Sequence, residues 1–239
     1  MYEYIPMRFD ILSIFPNSFS YMDSTKIWTR GIAAGAIEFH AHDLRNFTND
    51  PHRTVDDTPY GGGPGMLLKV EPLVTALESI PRKQKSKVLA MSPQGTLFTQ
   101  EKAQSYTDLE QIILICGRYE GMDERFIEGW VDEQVSIGDY VLLGGELPAM
   151  VMMEVISRLI PEVVGNKDSV STDSLTSGLL KYPQYTRPAD FQGHKVPDVL
   201  LSGNHEEIRV WREKKSHFRT LQNRPDLLQL PNVKKRTED

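Results

Sequence analysis

Two glycine-punctuated stretches decide the reading of this chain: Cys116-Gly117-Arg118-Tyr119-Glu120-Gly121, and Ser136-Ile137-Gly138-Asp139-Tyr140-Val141-Leu142-Leu143-Gly144-Gly145-Glu146-Leu147-Pro148. The first follows an apolar run over 111–116, rich in Ile and Leu and short enough to be a buried parallel strand. The second follows another β-like run over 131–137, and Pro148 is expected to open an amphipathic helix over 149–160. Glycine-rich loops at the carboxyl ends of adjacent parallel strands form a crevice in which backbone N–H and C=O groups reach a ligand directly. One such loop reads more readily as a tight corner than as a site. Two of this length, both carrying Tyr and acidic residues, point to a small-molecule cleft.

Outward from this pair, strand and helix signals alternate. Strands are expected at 8–14, 36–42 and 87–91, and helices at 71–79, 100–106 (with Thr99 as N-cap) and 123–129. This βαβ rhythm predicts an α/β domain with a parallel sheet covered on both faces. A long loop, 49–66, contains Tyr60-Gly61-Gly62-Gly63-Pro64-Gly65, and a loop of that length inside a compact domain is usually functional or disordered. The pattern fades after Pro161. The domain reading is 1–164 for the α/β part, with 1–6 as an extension, 165–172 as a polar linker, and 173–239 as a small, mostly helical second domain. In the latter, Asn204 and Glu207 resemble a capping box opening a helix with the apolar stripe Ile208, Trp211, Phe218 and Leu221, stopped by Pro225.

Composition narrows the class. Hydrophobic residues make up 39% and charged residues 25% of 239 positions, as in globular proteins, and no apolar run approaches the ~20 residues that span a bilayer. Cys116 is the only cysteine, which excludes an intrachain disulfide and suits a reducing, cytoplasmic setting. At the end of a buried strand it reads as a small core residue rather than a nucleophile. The six histidines show no metal-ligand spacing with cysteine or acidic partners. The net charge of −6 hides an asymmetry: residues 1–165 carry 14 Lys and Arg against 23 Asp and Glu, whereas residues 166–239 carry 13 against 10. Between 209 and 224, Arg209, Arg212, Lys214, Lys215, Arg219 and Arg224 face only Glu213. Such a run usually solvates a helix face. On an acidic protein it is also the electrostatic footprint of a polyanion partner.

Familiar nucleotide motifs are absent. The 8–14 strand leads into Phe15-Pro16-Asn17-Ser18 rather than a G-x-G-x-x-G turn, and no Walker-type G-x-x-x-x-G-K-[ST] or G-x-S-x-G elbow occurs.

Longer stretches carry a specific resemblance. Pro59-Tyr60-Gly61-Gly62-Gly63-Pro64-Gly65-Met66, the two glycine stretches above, Tyr185-Thr186-Arg187-Pro188 and Leu200-Leu201-Ser202-Gly203-Asn204-His205 together resemble the bacterial tRNA (guanine-N1)-methyltransferases, from about Met7 to Leu228. The resemblance implies a SPOUT-class, S-adenosylmethionine-dependent enzyme with a trefoil knot around the cofactor. It implies methylation of guanine 37 in tRNA where guanine also stands at position 36. It further implies a homodimer with active sites between subunits, and a Mg²⁺ requirement. Matching positions place the cofactor against Met91, Ser92, Pro93 and Gly95, against Gly117, Tyr119, Glu120 and Gly121, and against Ser136, Ile137, Gly138, Asp139, Tyr140, Val141, Leu142, Gly144, Gly145 and Pro148. Two positions depart from the pattern: Leu143 stands where many relatives carry a small polar residue, and Ala90 where some carry an aromatic.

Methylation of guanine N1 requires loss of its proton, hence a general base within hydrogen-bond reach. Asp173 matches the family's base, although on residue type alone a linker aspartate reads as a helix N-cap. Negative charge then spreads to O6, where a fixed cation stabilises the transition state more than the ground state. Arg158 matches the family's arginine for that role; without the resemblance it reads as a solvated helix residue. The basic segment, Arg209, Arg212, Lys214, Lys215, Arg219 and Arg224, is assigned to tRNA. Two alternatives stay open at this point: a SPOUT methyltransferase acting on another RNA atom, such as a ribose 2′-hydroxyl, and a non-catalytic RNA-binding protein on the same fold.

Overall fold

The computed structural model describes residues 5–163, 173–176 and 178–228, in two compact units, Met1–Gly165 and Asn166–Asp239. The expected extension over 1–6 lies mostly outside the described residues, and the expected linker 165–172 lies wholly outside them.

The first unit is built on five parallel strands: β1 (Met7–Ser13), β2 (Ile37–Asp43), β3 (Ser86–Leu97), β4 (Gln111–Cys116) and β5 (Glu133–Ser136), in the order β2-β1-β4-β3-β5. Alternation of side chains across the pleat sorts the central strand onto two faces. Ile112, Leu114 and Cys116 join a core with Phe9, Leu89, Trp28, Met152 and Ile156. Ile113 and Ile115 join another with Val88, Leu73, Ala76 and Phe126. The first face is covered by α1 (Lys26–Ala33), α3 (Gln100–Tyr106) and α5 (Glu146–Leu159), the second by α2 (Val70–Ser79) and α4 (Glu124–Trp130). All six residues of β4 are buried, as a run without a polar face requires.

β3 is longer than the expected 87–91. Ser92-Pro93-Gln94-Gly95 reads as punctuation, yet the strand continues through a register shift between Met91 and Thr96, after which Thr96 and Leu97 pair with Val135 and Ser136 of β5. Gly95 permits the shift, because a Cβ there would sit 2.3 Å from the Gln134 carbonyl carbon and the Val135 nitrogen. Helix α5 starts earlier than expected, at Glu146, so Pro148 lies inside its first turn, where a missing N–H costs no intrahelical bond. Within the long loop, Asp56–Asp57 pairs antiparallel with Leu67–Leu68, and Tyr60 is fully exposed.

In the second unit one long helix, α6 (His205–Asn223), carries most of the helical structure. It is preceded by an irregular stretch, a two-residue ladder (Asp190–Phe191 with His194–Lys195) and a short turn at Asp198–Leu201. The Asn204 side chain accepts from the Glu206 and Glu207 amides, capping the helix. The Asn204 amide donates to Ser202 Oγ, so the N-terminal box is closed by the serine rather than by Glu207. The expected apolar stripe is only half used: Ile208 and Trp211 are partly buried, whereas Phe218 and Leu221 are exposed. The helix is held instead through Thr220, fully buried, whose Oγ1 accepts from the Leu180 amide at 2.9 Å, and through Ser216, which donates to the Leu180 carbonyl.

Candidate functional site

The cleft forms where β3, β4 and β5 end. Its volume is about 450 Å³, within the ~300–1,000 Å³ usual for small-molecule sites. The loop after β4 supplies Gly117, Arg118, Tyr119, Glu120 and Gly121; the turn in β3 supplies Met91, Ser92, Pro93 and Gln94; the loop after β5 supplies Ser136, Ile137, Gly138 and Tyr140 through Gly145, with Pro148 at the start of α5. The sequence-derived set is therefore gathered round one space, with two exceptions. Gly95 does not line it; its missing side chain is needed for the approach of β3 to β5. Asp139 is exposed and outside the lining. Of the two departures from the family pattern, Leu143 lines the cleft and is almost fully exposed, while Ala90 is buried within β3 and does not line it.

The loops are locked to each other by backbone. The Gly145 amide donates to the Gly117 carbonyl at 2.8 Å, and Arg118 forms an isolated antiparallel bridge with Gly144. A Cβ on Gly145 would lie 2.7 Å from Cys116 Cα and 2.8 Å from the Gly117 nitrogen, so only glycine lets the second loop return against the first. Tyr119 is held at φ 59°, the left-handed region that an L side chain enters only when its surroundings impose it. The Glu120 amide donates to the Met66 carbonyl and the Leu68 amide to the Gly121 carbonyl, so the end of the long loop abuts the site and Leu67 enters its lining.

A buried charge completes the frame. Glu146, 2% exposed at the start of α5, accepts from Ser13 Oγ at 2.6 Å and from Arg118 at 2.9 Å (Nε) and 2.8 Å (Nη2). Arg118 also lies over the Phe15 ring, 4.6 Å from its centre, and donates to the Leu143 carbonyl at 3.3 Å. One guanidinium thus ties both cofactor-type loops to the end of β1. Burial pushes the neighbouring Cys116 thiol up, and the Glu146 charge adds to this, so it is a core thiol as its position in the sequence implies.

The expected catalytic residues fall in different units. Arg158 is exposed in the last turn of α5 and is not among the cleft-lining residues. Asp173 lies in the second unit, half-buried, where Lys181 Nζ donates to its Oδ1 at 3.1 Å. The basic segment is less unopposed than the sequence window suggests. Arg209 pairs with Glu206 and Glu213, both at 2.5 Å, because Glu206 lies one turn before the window; Arg224 pairs with Asp226. Arg212 lies over the Tyr182 ring, Lys215 near the Trp211 ring, and Arg219 donates to the Lys181 carbonyl. Among the described residues no three His, Cys, Asp or Glu side chains gather to hold a metal, so the Mg²⁺ expectation has no cluster to attach to. No helix among them is long and apolar enough to cross a membrane.

Further lining residues, Leu67, Met122, Glu124, Ile127, Gln134 and Val135, were not singled out from the sequence. Arg118, which also lines the cleft, left a signal as a charged residue two positions after a fully buried strand.

Fold and site together define an α/β protein with a cleft of small-molecule size in glycine-rich loops at the carboxyl ends of parallel strands. Residues 7–230 match the family model described as tRNA (Guanine-1)-methyltransferase TrmD, and the chain belongs to that family. Relatives named tRNA (guanine-N(1)-)-methyltransferase are similar to it along most of their length. That of Listeria welshimeri is 50% identical, covering 93% of this chain and 92% of its own. Those of Heliobacterium modesticaldum and Dictyoglomus turgidum are each 49% identical, covering 93% of this chain and 84% and 90% of their own.

Proposed function

We propose that the chain transfers a methyl group from S-adenosylmethionine to N1 of guanine in tRNA, at position 37 where position 36 is also guanine. The observation that carries this is the convergence of three loops from a family-matched sequence on one cleft behind β4. The cleft fits the cofactor's mixed character: Leu142 and Pro148 offer apolar surface, the loop backbones offer N–H and C=O groups for an adenine edge, and Glu120 is an anion for its cationic groups. The cofactor supplies an electrophilic methyl group on a sulfonium.

Every further part of the chemistry falls to side chains. The guanine N1 proton passes to the Asp173 carboxylate, which Lys181 orients, and this frees the N1 lone pair for the methyl group that a bound cofactor would supply. The charge gathering on O6 is opposed by the Arg158 guanidinium. The homodimer whose subunits share each active site rests on the family resemblance. The trefoil knot around the cofactor rests on the family resemblance alone. The acidic balance of the first unit leaves tRNA phosphates to Lys214, Lys215 and Arg219, with Arg212 laid over the Tyr182 ring and Arg209 and Arg224 partly neutralised by their carboxylates. A bacterial tRNA-modifying enzyme of this kind works in the cytoplasm.

The test is labelled methyl transfer to matched tRNA transcripts carrying G or A at position 37. Incorporation only with G supports the reading; equal incorporation, or label on a ribose 2′-oxygen, replaces it with the other SPOUT chemistry.

A further inference from the structure

The second unit has a cleft of its own, about 430 Å³, distinct from the glycine-loop site. Its floor is apolar, from Val196, Leu200 and Ile208, all partly buried. Tyr182 and the half-exposed Tyr185 stand along its sides, and Arg187 and Arg212 at its rim. The Arg212 guanidinium lies 4.9 Å from the centre of the Tyr182 ring. Unlike Arg209 and Arg224, neither Arg212 nor Arg187 has a carboxylate partner among the described residues. The Gln184, Tyr185 and Thr186 backbones make no hydrogen bond to the protein among those residues. Flat aromatic and guanidinium surfaces, an apolar floor, uncompensated positive charge and unused backbone donors and acceptors are the features that hold an unstacked nucleobase. A peptide or a second protein surface would use the floor but has no need of the cations.

We propose that this cleft receives one unpaired base of the tRNA substrate, stacked on the Tyr182–Arg212 pair and Tyr185, with its edge toward the 184–186 backbone. The proposal rests on tRNA being the substrate. It gives the second unit a grip on a loop nucleotide that phosphate contacts alone do not provide.

The experiment uses the full chain and fluorescence-labelled tRNA transcript, with anisotropy read over a salt series. Tyr182→Ala should weaken binding about 5- to 100-fold, Tyr182→Phe should stay within about 2-fold of the unaltered chain, and Leu200→Trp, which fills the cleft and keeps Tyr182, should weaken it comparably. The salt slope should be unchanged, since no phosphate contact is lost. Transcripts with a single abasic site at each unpaired position should then include one that loses the same factor with the unaltered chain and loses no more with Tyr182→Ala. Losses that multiply at every position overturn the proposal, as does a folded Tyr182→Ala chain of normal affinity, or a slope that falls by about one. A change in oligomeric state on sedimentation with Leu200→Trp would assign the cleft to a second copy and overturn it too. Methyl transfer by the unaltered chain, measured on the same transcripts, reports separately on the underlying substrate reading.

Discussion

Removing the Arg118 side chain tests whether the cleft is held by one buried ion pair. In Arg118→Ala the Glu146 carboxylate, 2% exposed, would keep only the Ser13 hydroxyl as a donor. Stripping one partner from a fully buried pair costs about 3–5 kcal/mol. The Arg118 side chain is 25% exposed and water reaches that side, so we expect less than a fully buried pair would cost, about 2–3 kcal/mol. At roughly 2–4 °C per kcal/mol for a domain of this size, the melting temperature should fall by about 4–12 °C. Glu146→Gln keeps the shape and an acceptor for Ser13 and leaves the more accessible arginine to hydrate, so it should cost only about 1 kcal/mol. Thermal melts of both variants, with calorimetric titration of S-adenosylmethionine, read the two consequences together. Because the same guanidinium holds the Leu143 carbonyl and stacks on Phe15, cofactor affinity should fall about 10-fold in Arg118→Ala. A cost below about 0.5 kcal/mol, or a larger cost for Glu146→Gln than for Arg118→Ala, would refute the reasoning. Lost stability with unchanged affinity would leave the pair as a strut for the fold with no bearing on the cleft.

Asp173→Asn should bind cofactor normally and lose about 10²–10⁴-fold in single-turnover methylation of tRNA; a near-normal rate would remove Asp173 as the base. The glycines of the cleft should differ in tolerance. Gly145→Ala would place its Cβ 2.7 Å from Cys116 Cα and should unfold or grossly weaken the site, whereas at Gly117 the nearest atom is the Met91 carbonyl oxygen at 3.3 Å, so Gly117→Ala should melt within a few degrees of the unaltered chain. Equal melting of the two would contradict the close approach. Burial works against the charge on Glu133, but hydrogen bonds from Lys102, Lys87 and Tyr106 outweigh it and hold its pKa at about 2, below the usual 4.5. The folded pKa is depressed, so this contribution is present above pH ~4.5 and is lost as pH falls toward about 2. The denaturation midpoint of the unaltered chain should drop more steeply than that of Glu133→Gln across that window, and parallel curves would count against it.

Local rules located much of this fold in the sequence. The 111–116 strand matches β4 because six consecutive buried residues leave no other reading, and Thr99 caps α3 by accepting from the Lys102 amide, as its position predicts. Alternation of such segments was enough for a covered parallel sheet. What failed depended on partners remote in sequence. Nothing near Gly95 announces that β3 continues, since the reason is the backbone of Gln134 and Val135. The Ser13–Glu146–Arg118 network ties Ser13 to a residue 133 positions away and Arg118 to one 28 positions away, and its members individually read as ordinary polar residues. The α6 stripe was misjudged because Thr220, through a hydroxyl bond to the Leu180 amide, does the packing assigned to Phe218 and Leu221. The glycine loops themselves were legible, because close backbone approach selects glycine so strongly that it marks the sequence.

The central claim is that the glycine-loop cleft delivers a methyl group to guanine N1. The most direct measurement is digestion of tRNA methylated by the purified chain, followed by chromatographic and mass identification of the modified nucleoside and its position. The account predicts 1-methylguanosine at position 37 and nowhere else, lost when guanine 37 is replaced. A methyl group on another atom or another nucleotide, or none with cofactor bound, would contradict it.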